Sequence, residues 1–91
     1  MQNKKADSSM INDLYELIAS LDTAQDCEKL FSDLCTVKEI EQMAQRIKAA
    51  GLLLDGKTYQ QVKEECDISS ATLSRVSRCV QYGKGYSQYI K

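Results

Sequence analysis

This sequence predicts an all-α fold of about six helices, and three observations support that class. Apolar residues recur every three or four positions, which is the period of an amphipathic helix, and no segment alternates as a β-strand does. The 91 residues include no proline, so none interrupts a helix. Residues 58–80 have the pattern of two short helices joined by a turn, a helix-turn-helix. We expect a single domain over residues 1–91.

Two helices are predicted near the start of the chain, after a polar segment. Residues 1–8 carry few apolar side chains, so we expect them to be disordered. The helix that starts near Ser9 has an apolar face made of Ile11, Leu14, Ile18 and Leu21. A second helix follows, because the hydroxyl group of Thr23 can cap it. Its inner face is made of Cys27, Leu30, Phe31, Leu34 and Cys35.

The third predicted helix covers residues 37–54 and is the longest. Thr36 can cap it, and Glu39 completes a capping box. Its apolar stripe is made of Ile40, Met43, Ala44, Ile47, Ala50, Leu53 and Leu54. Gly56 ends the helix, since glycine is the usual left-handed stop. The stripes of these three helices are rich for a small monomer and indicate a homodimer, although the helices could also pack on one another.

Caps and an apolar skeleton define the helix-turn-helix. Thr58 can cap its first helix, with Gln61 as the capping-box partner. The apolar residues that hold the two helices together are Val62, Cys66, Ile68, Leu73, Val76 and Val80. Ser69 or Ser70 can cap the second helix. One more helix is predicted after residues 83–85, from the spacing of the tyrosines that follow.

A helix-turn-helix presents the start of its second helix to the major groove of DNA. The residues predicted to contact DNA are Gln60, Lys63, Ser70, Ala71, Thr72, Ser74, Arg75 and Arg78. Small hydroxyl and methyl groups fit between base edges, while arginines reach guanines or phosphates. Lys63 and Asp67 depart from the usual pattern, which has alanine and glycine at these positions. Because similar helix pairs also occur as plain structure, a structural role is the alternative.

The charge distribution favours a nucleic-acid partner for the C-terminal part of the chain. The net charge is only −1, but it is unevenly distributed. Residues 1–56 hold six Lys and Arg against ten Asp and Glu, a balance of −4. Residues 57–91 hold six against three, a balance of +3. Phosphate contacts need such a local positive field, although an asymmetry of this size can also arise by chance.

Several classes of protein are not expected from this sequence. The chain has no histidine and no Cys-x-x-Cys pair, so we predict neither a metal nor a cofactor. No general base or phosphate-binding loop is evident, so we do not expect an enzyme. The four cysteines fall on apolar faces, which favours buried thiols in a cytoplasmic protein. Neither a membrane span nor a signal peptide is recognisable.

Residues 36–80 resemble the bacterial Trp repressor family, and the whole chain is most similar to its Trp-repressor-related branch, called YerC/YecD. The stretch that carries the resemblance reads TVKEIEQMAQRIKAAGLLLDGKTYQQVKEECDISSATLSR. Residues 1–35 match in helix pattern more than in identity. The resemblance implies an intertwined all-α homodimer that binds double-stranded DNA. Its two reading helices would meet half-sites about one DNA turn apart, a geometry of which the Trp repressor is a known example.

The resemblance also implies a candidate ligand pocket. In tryptophan-responsive members of the family, two arginines bracket the indole, with a threonine and a glycine beside them. The residues at the corresponding positions here are Arg46, Arg75, Thr36 and Val76. Valine replaces the glycine, and its three additional carbons occupy space that the ring needs. We therefore expect no response to tryptophan, and the sequence names no other small-molecule corepressor.

These features predict a sequence-specific, dimeric DNA-binding transcriptional regulator of a bacterium, most simply a repressor. The alternative is a dimeric protein-interaction module that keeps the fold without specific DNA binding. Strong salt dependence of DNA binding would favour the regulator, whereas a stable dimer indifferent to DNA would favour the interaction module.

Overall fold

The computed structural model describes residues 7–90, and within that range the chain is all-α, as the sequence predicts. The six helices are α1 (Ser8–Ala19), α2 (Ala24–Leu34), α3 (Val37–Leu54), α4 (Tyr59–Glu65), α5 (Ser70–Tyr82) and α6 (Gly85–Tyr89). None of these six has both the length and the apolar composition needed to cross a membrane. The chain divides into two compact units, residues 1–36 and 37–91.

The first unit contains α1 and α2, and a side-chain cap starts each helix. The Asp7 carboxylate accepts a hydrogen bond from the backbone N–H of Met10 at 2.9 Å, so α1 begins at Ser8, one residue earlier than predicted. Thr23 caps α2 as predicted, because its Oγ1 accepts a hydrogen bond from the backbone N–H of Asp26 at 3.0 Å. Most of the segment expected to be disordered, residues 1–6, lies outside the described residues.

Neither α1 nor α2 contains a buried residue. On α1, the exposed fractions of Met10, Leu14 and Leu17 are 58%, 38% and 50%. Cys27 of α2 is exposed too, which corrects the expectation that all four thiols are buried. Only Cys66 is buried, and the other two cysteines are half-buried. The expectation failed because apolar spacing identifies one side of a helix but not whether another element covers it.

The second unit packs α3, α4, α5 and α6 around one core. Its buried residues are Ala49, Ala50, Leu52, Val62, Cys66, Ile68, Leu73 and Val76. Ile47 and Leu54, members of the predicted stripe of α3, are instead 52% and 38% exposed. At about 100° per residue, Ile47 lies on the opposite side of the helix from Ala49. α3 therefore has one side in this core and a second apolar side outside it.

Gly56 ends α3, as the sequence predicts, and its φ of +90° is the left-handed geometry that favours glycine. The N–H of Gly56 donates to the carbonyl of Leu53, and the N–H of Lys57 donates to the carbonyl of Leu52, both at 3.0 Å. These two bonds satisfy carbonyl groups that the helix end would otherwise leave unpaired. The chain turns here and enters α4.

Candidate nucleic-acid interface

α4 and α5 form the predicted helix-turn-helix, and side-chain caps set where each helix begins. The N–H of Gln61 donates to Thr58 Oγ1 at 3.2 Å, and the N–H of Thr58 donates to Gln61 Oε1 at 2.9 Å. These two bonds complete the predicted capping box. Ser69 caps α5, because its Oγ accepts from the N–H of Thr72 at 3.2 Å. Local sequence therefore fixes both helix starts.

Buried side chains hold α4 and α5 in a defined relationship. Val62 on α4 and Leu73 on α5 are both fully buried, and Ile68 in the connecting turn is 8% exposed. Ile68 therefore fills the corner between the two helices. No non-glycine residue in the described chain has a positive φ, so Asp67 does not need the left-handed geometry that the usual glycine would supply. The turn closes without that glycine.

Most of the residues predicted to contact DNA lie exposed on this helix pair. The exposed ones are Gln60, Lys63, Ser70, Ala71, Ser74, Arg75 and Arg78. Thr72 differs, because it is half-buried and its Oγ1 accepts a hydrogen bond from Ser69 Oγ at 3.0 Å. The Thr72 hydroxyl is therefore engaged by the cap of α5. On α4, Gln60 Nε2 donates to Glu64 Oε1 at 3.4 Å.

Lys63 and Ser70 meet across the turn, a contact that the sequence pattern does not reveal. Lys63 Nζ donates to Ser70 Oγ at 2.5 Å. Lys63 lies near the end of α4, and Ser70 is the first residue of α5. Both side chains are exposed to solvent. An ammonium group is thus held at the start of the helix that would enter the groove.

Charge separates between the two compact units. Residues 1–36 hold three Lys and Arg against seven Asp and Glu, a balance of −4. Residues 37–91 hold nine against six, a balance of +3. The positive charge therefore belongs to the unit that carries the helix-turn-helix, and this is the unit that polyanionic DNA would attract.

A cavity of about 560 Å³ lies among α3, α5 and the C-terminal segment. Three residues of the candidate ligand pocket, Arg46, Arg75 and Val76, line it. Val76 is only 1% exposed and also belongs to the core. The remaining lining residues are Ile47, Cys79, Gly83, Lys84, Gly85, Tyr86, Tyr89 and Ile90. Thr36, the fourth predicted residue, belongs to the other compact unit.

Sequence reasoning missed the contribution of the C-terminal segment to this cavity. Lys84 adds a third cation, and Tyr86 and Tyr89 add aromatic surface. Cationic groups beside apolar and aromatic walls are suited to an organic anion. No local signal connects Lys84 with Arg46, because the two residues come together only when α6 folds back beside α3.

A second cavity of about 430 Å³ lies between the first half of α3 and the start of α5. Its lining residues are Lys38, Glu41, Gln42, Gln45, Arg46, Asp67, Ile68, Ser69 and Thr72. Two cations face two carboxylates here, so the cavity has no net preference for anions. Within the described residues, no three Cys, Asp or Glu side chains cluster closely enough to hold a metal ion.

Comparison with known proteins places these features in one family. A family model described as Trp repressor protein matches residues 9–91. The uncharacterized protein YerC of Bacillus subtilis (strain 168) is 41% identical over 83 residues, which are 91% of this chain and 80% of that protein. The crystal structure of a candidate Trp repressor from Staphylococcus aureus superimposes with a TM-score of 0.85 at 35% identity, covering 90% of this chain and 83% of that one. The crystal structure of a TrpR-like protein from Eubacterium eligens also superimposes with a TM-score of 0.85, at 34% identity, covering 89% of this chain and 84% of that one.

Proposed function

This chain belongs to the Trp repressor family, and we propose that it is a dimeric, sequence-specific transcriptional regulator that binds DNA with α4 and α5. The observation that carries the proposal is the start of α5. It is capped by Ser69 and anchored by the buried Leu73, yet it exposes small and cationic side chains. A rigid helix start of this kind fits the major groove.

In this proposal, the side chains of α5 divide into two groups. Ser70, Ala71 and Ser74 are small and exposed, and they face base edges. Arg75 lies about one helical turn after Ala71, and Arg78 lies about two turns after it. Both arginines reach phosphates or guanines. Bound at a promoter, such a protein blocks access to it, so we assign it as a repressor.

A second copy of the chain completes the binding unit. α1 exposes several large apolar side chains, and α3 exposes Ile47 and Leu54 outside the core. Large apolar side chains exposed together on a helix face commonly mark an interface, so we assign each of these two faces to contacts with a second copy. Two copies then place two α5 helices on half-sites about one DNA turn apart.

Selection of bound sequences from a random DNA pool tests this function directly. We expect an enriched, two-fold symmetric site whose affinity falls steeply as salt is raised. If the chain forms a stable dimer but enriches no sequence, the protein is instead an interaction module that keeps the fold.

Arg78→Ala is expected to weaken binding to the selected site and to unrelated DNA by a similar factor. Arg78 is exposed on α5, away from the helix start, where it can reach a phosphate. Loss of one phosphate contact should make the slope of log K against log salt less steep by about 0.9. Gln81→Ala, an uncharged and exposed position on the same helix, should leave the slope unchanged. A change of base preference in Arg78→Ala would contradict this role.

Tryptophan is expected neither to bind the natural protein at millimolar concentration nor to change its affinity for DNA. The buried Val76 side chain stands where tryptophan-responsive relatives have glycine, and a ligand promotes DNA binding only by preferring the competent state. Isothermal titration calorimetry should therefore show no saturable heat. Val76→Gly should admit tryptophan weakly and should lose about 2–3 kcal/mol of stability from the truncated side chain and the freer backbone. Saturable binding by the natural protein would contradict the proposal.

A further inference from the structure

The contact between Lys63 and Ser70 constrains how the serine hydroxyl can read a base. Lys63 Nζ lies 2.5 Å from Ser70 Oγ. An ammonium group has three donors and no acceptor, so the lysine must be the donor and the serine oxygen the acceptor. The single hydrogen of the Ser70 hydroxyl therefore points away from Lys63. Within the described residues, Ser70 Oγ makes no other hydrogen bond, and the Ser70 side chain is exposed at the start of α5.

The same contact makes the hydroxyl a better donor. A hydrogen bond from a charged group polarises the oxygen that accepts it, and the polarised O–H then donates more strongly. The ammonium also adds its charge to the positive end of the α5 macrodipole. Together these effects give the start of α5 a field that favours acceptor atoms of DNA and disfavours amino groups.

Serine alone discriminates poorly between bases, because its hydroxyl can donate or accept. On the proposed DNA-binding function, we infer that Lys63 is a positioning residue. It occupies one of the two lone pairs of Ser70 Oγ and biases the hydroxyl group toward donation. Ser70 then prefers the guanine edge, which presents the acceptors N7 and O6, over the cytosine edge, which presents the amino group N4. Lys63 thereby acts on sequence preference through another side chain.

A double-mutant cycle on selected DNA tests this inference. The variants are Lys63→Met, Ser70→Ala and the double variant, with Lys63→Arg as a conservative replacement that keeps a cationic donor. Affinities are measured for a set of duplexes that carry each of the four base pairs at each position of the selected site. The position at which Ser70→Ala changes the preference identifies the base that Ser70 reads. Because both side chains are exposed, the variants should fold, and circular dichroism verifies this.

We expect the natural protein to prefer guanine over cytosine about tenfold at the Ser70 position. Lys63→Met should reduce this preference as much as Ser70→Ala does, and Lys63→Arg should retain most of it. In the Ser70→Ala background, Lys63→Met should cause no further change of preference, because the two residues act as one unit. Arg78→Met, a matched loss of one cation from the same helix pair, should lower affinity without altering the preference.

Three results would overturn the inference. Lys63→Met would refute it by weakening all duplexes equally with the guanine preference intact, which is the behaviour of a phosphate contact. Lys63→Met would also refute it by lowering any guanine preference that remains in the Ser70→Ala background, because the lysine would then read the base itself. If the natural protein selects no DNA sequence, both the inference and the proposed function fail. If the natural protein selects a DNA sequence but Lys63→Met and Ser70→Ala change the base preference independently, only the inference fails and the proposed function stands.

Discussion

Leu73→Ala is expected to lower the free energy of unfolding by about 2–5 kcal/mol, the range found when a buried leucine is truncated. Leu73 is fully buried on α5 and belongs to the core with Val62 and Val76. Small domains are stable by only about 5–15 kcal/mol, so at the low end of that range this loss would unfold much of the population. DNA affinity should fall in parallel, because the start of α5 would no longer be held against α4.

Urea denaturation followed by circular dichroism gives the measurement for Leu73→Ala. Ser74→Ala is the matched control, because Ser74 is the next residue along α5 and is exposed. This control should unfold at nearly the same urea concentration as the natural protein. A loss of less than about 1 kcal/mol for Leu73→Ala would mean that the core around α5 tolerates a cavity, contrary to the packing described.

Leu14→Glu is expected to convert the proposed homodimer into monomers and to lower DNA affinity at least a hundredfold. Leu14 lies within the exposed apolar face of α1, and an unpaired carboxylate in a dimer interface carries a large desolvation cost. A monomer engages one half-site only, and the loss of the second contact commonly costs a factor of 10² to 10⁴. Sedimentation equilibrium distinguishes the 10.3 kDa chain from a species of twice that mass.

The matched control for the dimer is Ser9→Glu, which places the same charge on the polar face of α1. Ser9 is exposed in the first turn, where an acidic residue is favourable. This variant should stay dimeric and should bind DNA as the natural protein does. A natural protein that sediments as a folded monomer, or a Leu14→Glu variant that stays dimeric, would contradict the proposed interface.

Much of the candidate site could be predicted from the sequence, because its determinants are local. The box of Thr58 with Gln61, the Ser69 cap and the Gly56 stop all depend on partners within a few residues along the chain. Leu73 was identified by helical spacing and Ile68 as an apolar residue in the turn, and both are buried as expected. Local hydrogen bonds and periodicity therefore established six helices and a helix-turn-helix.

Only the tertiary structure decided which sides of the helices are covered and which distant side chains meet. Spacing predicted an apolar stripe on α3, but the core buries Ala49 and leaves Ile47 half exposed, because the positions of the neighbouring helices decide which side of α3 is covered. Because of the way the helices pack, Lys63 contacts Ser70, and Lys84 and Arg46 line the same cavity. Burial and long-range contacts depend on the relative placement of whole elements, and the sequence of one element does not contain that information.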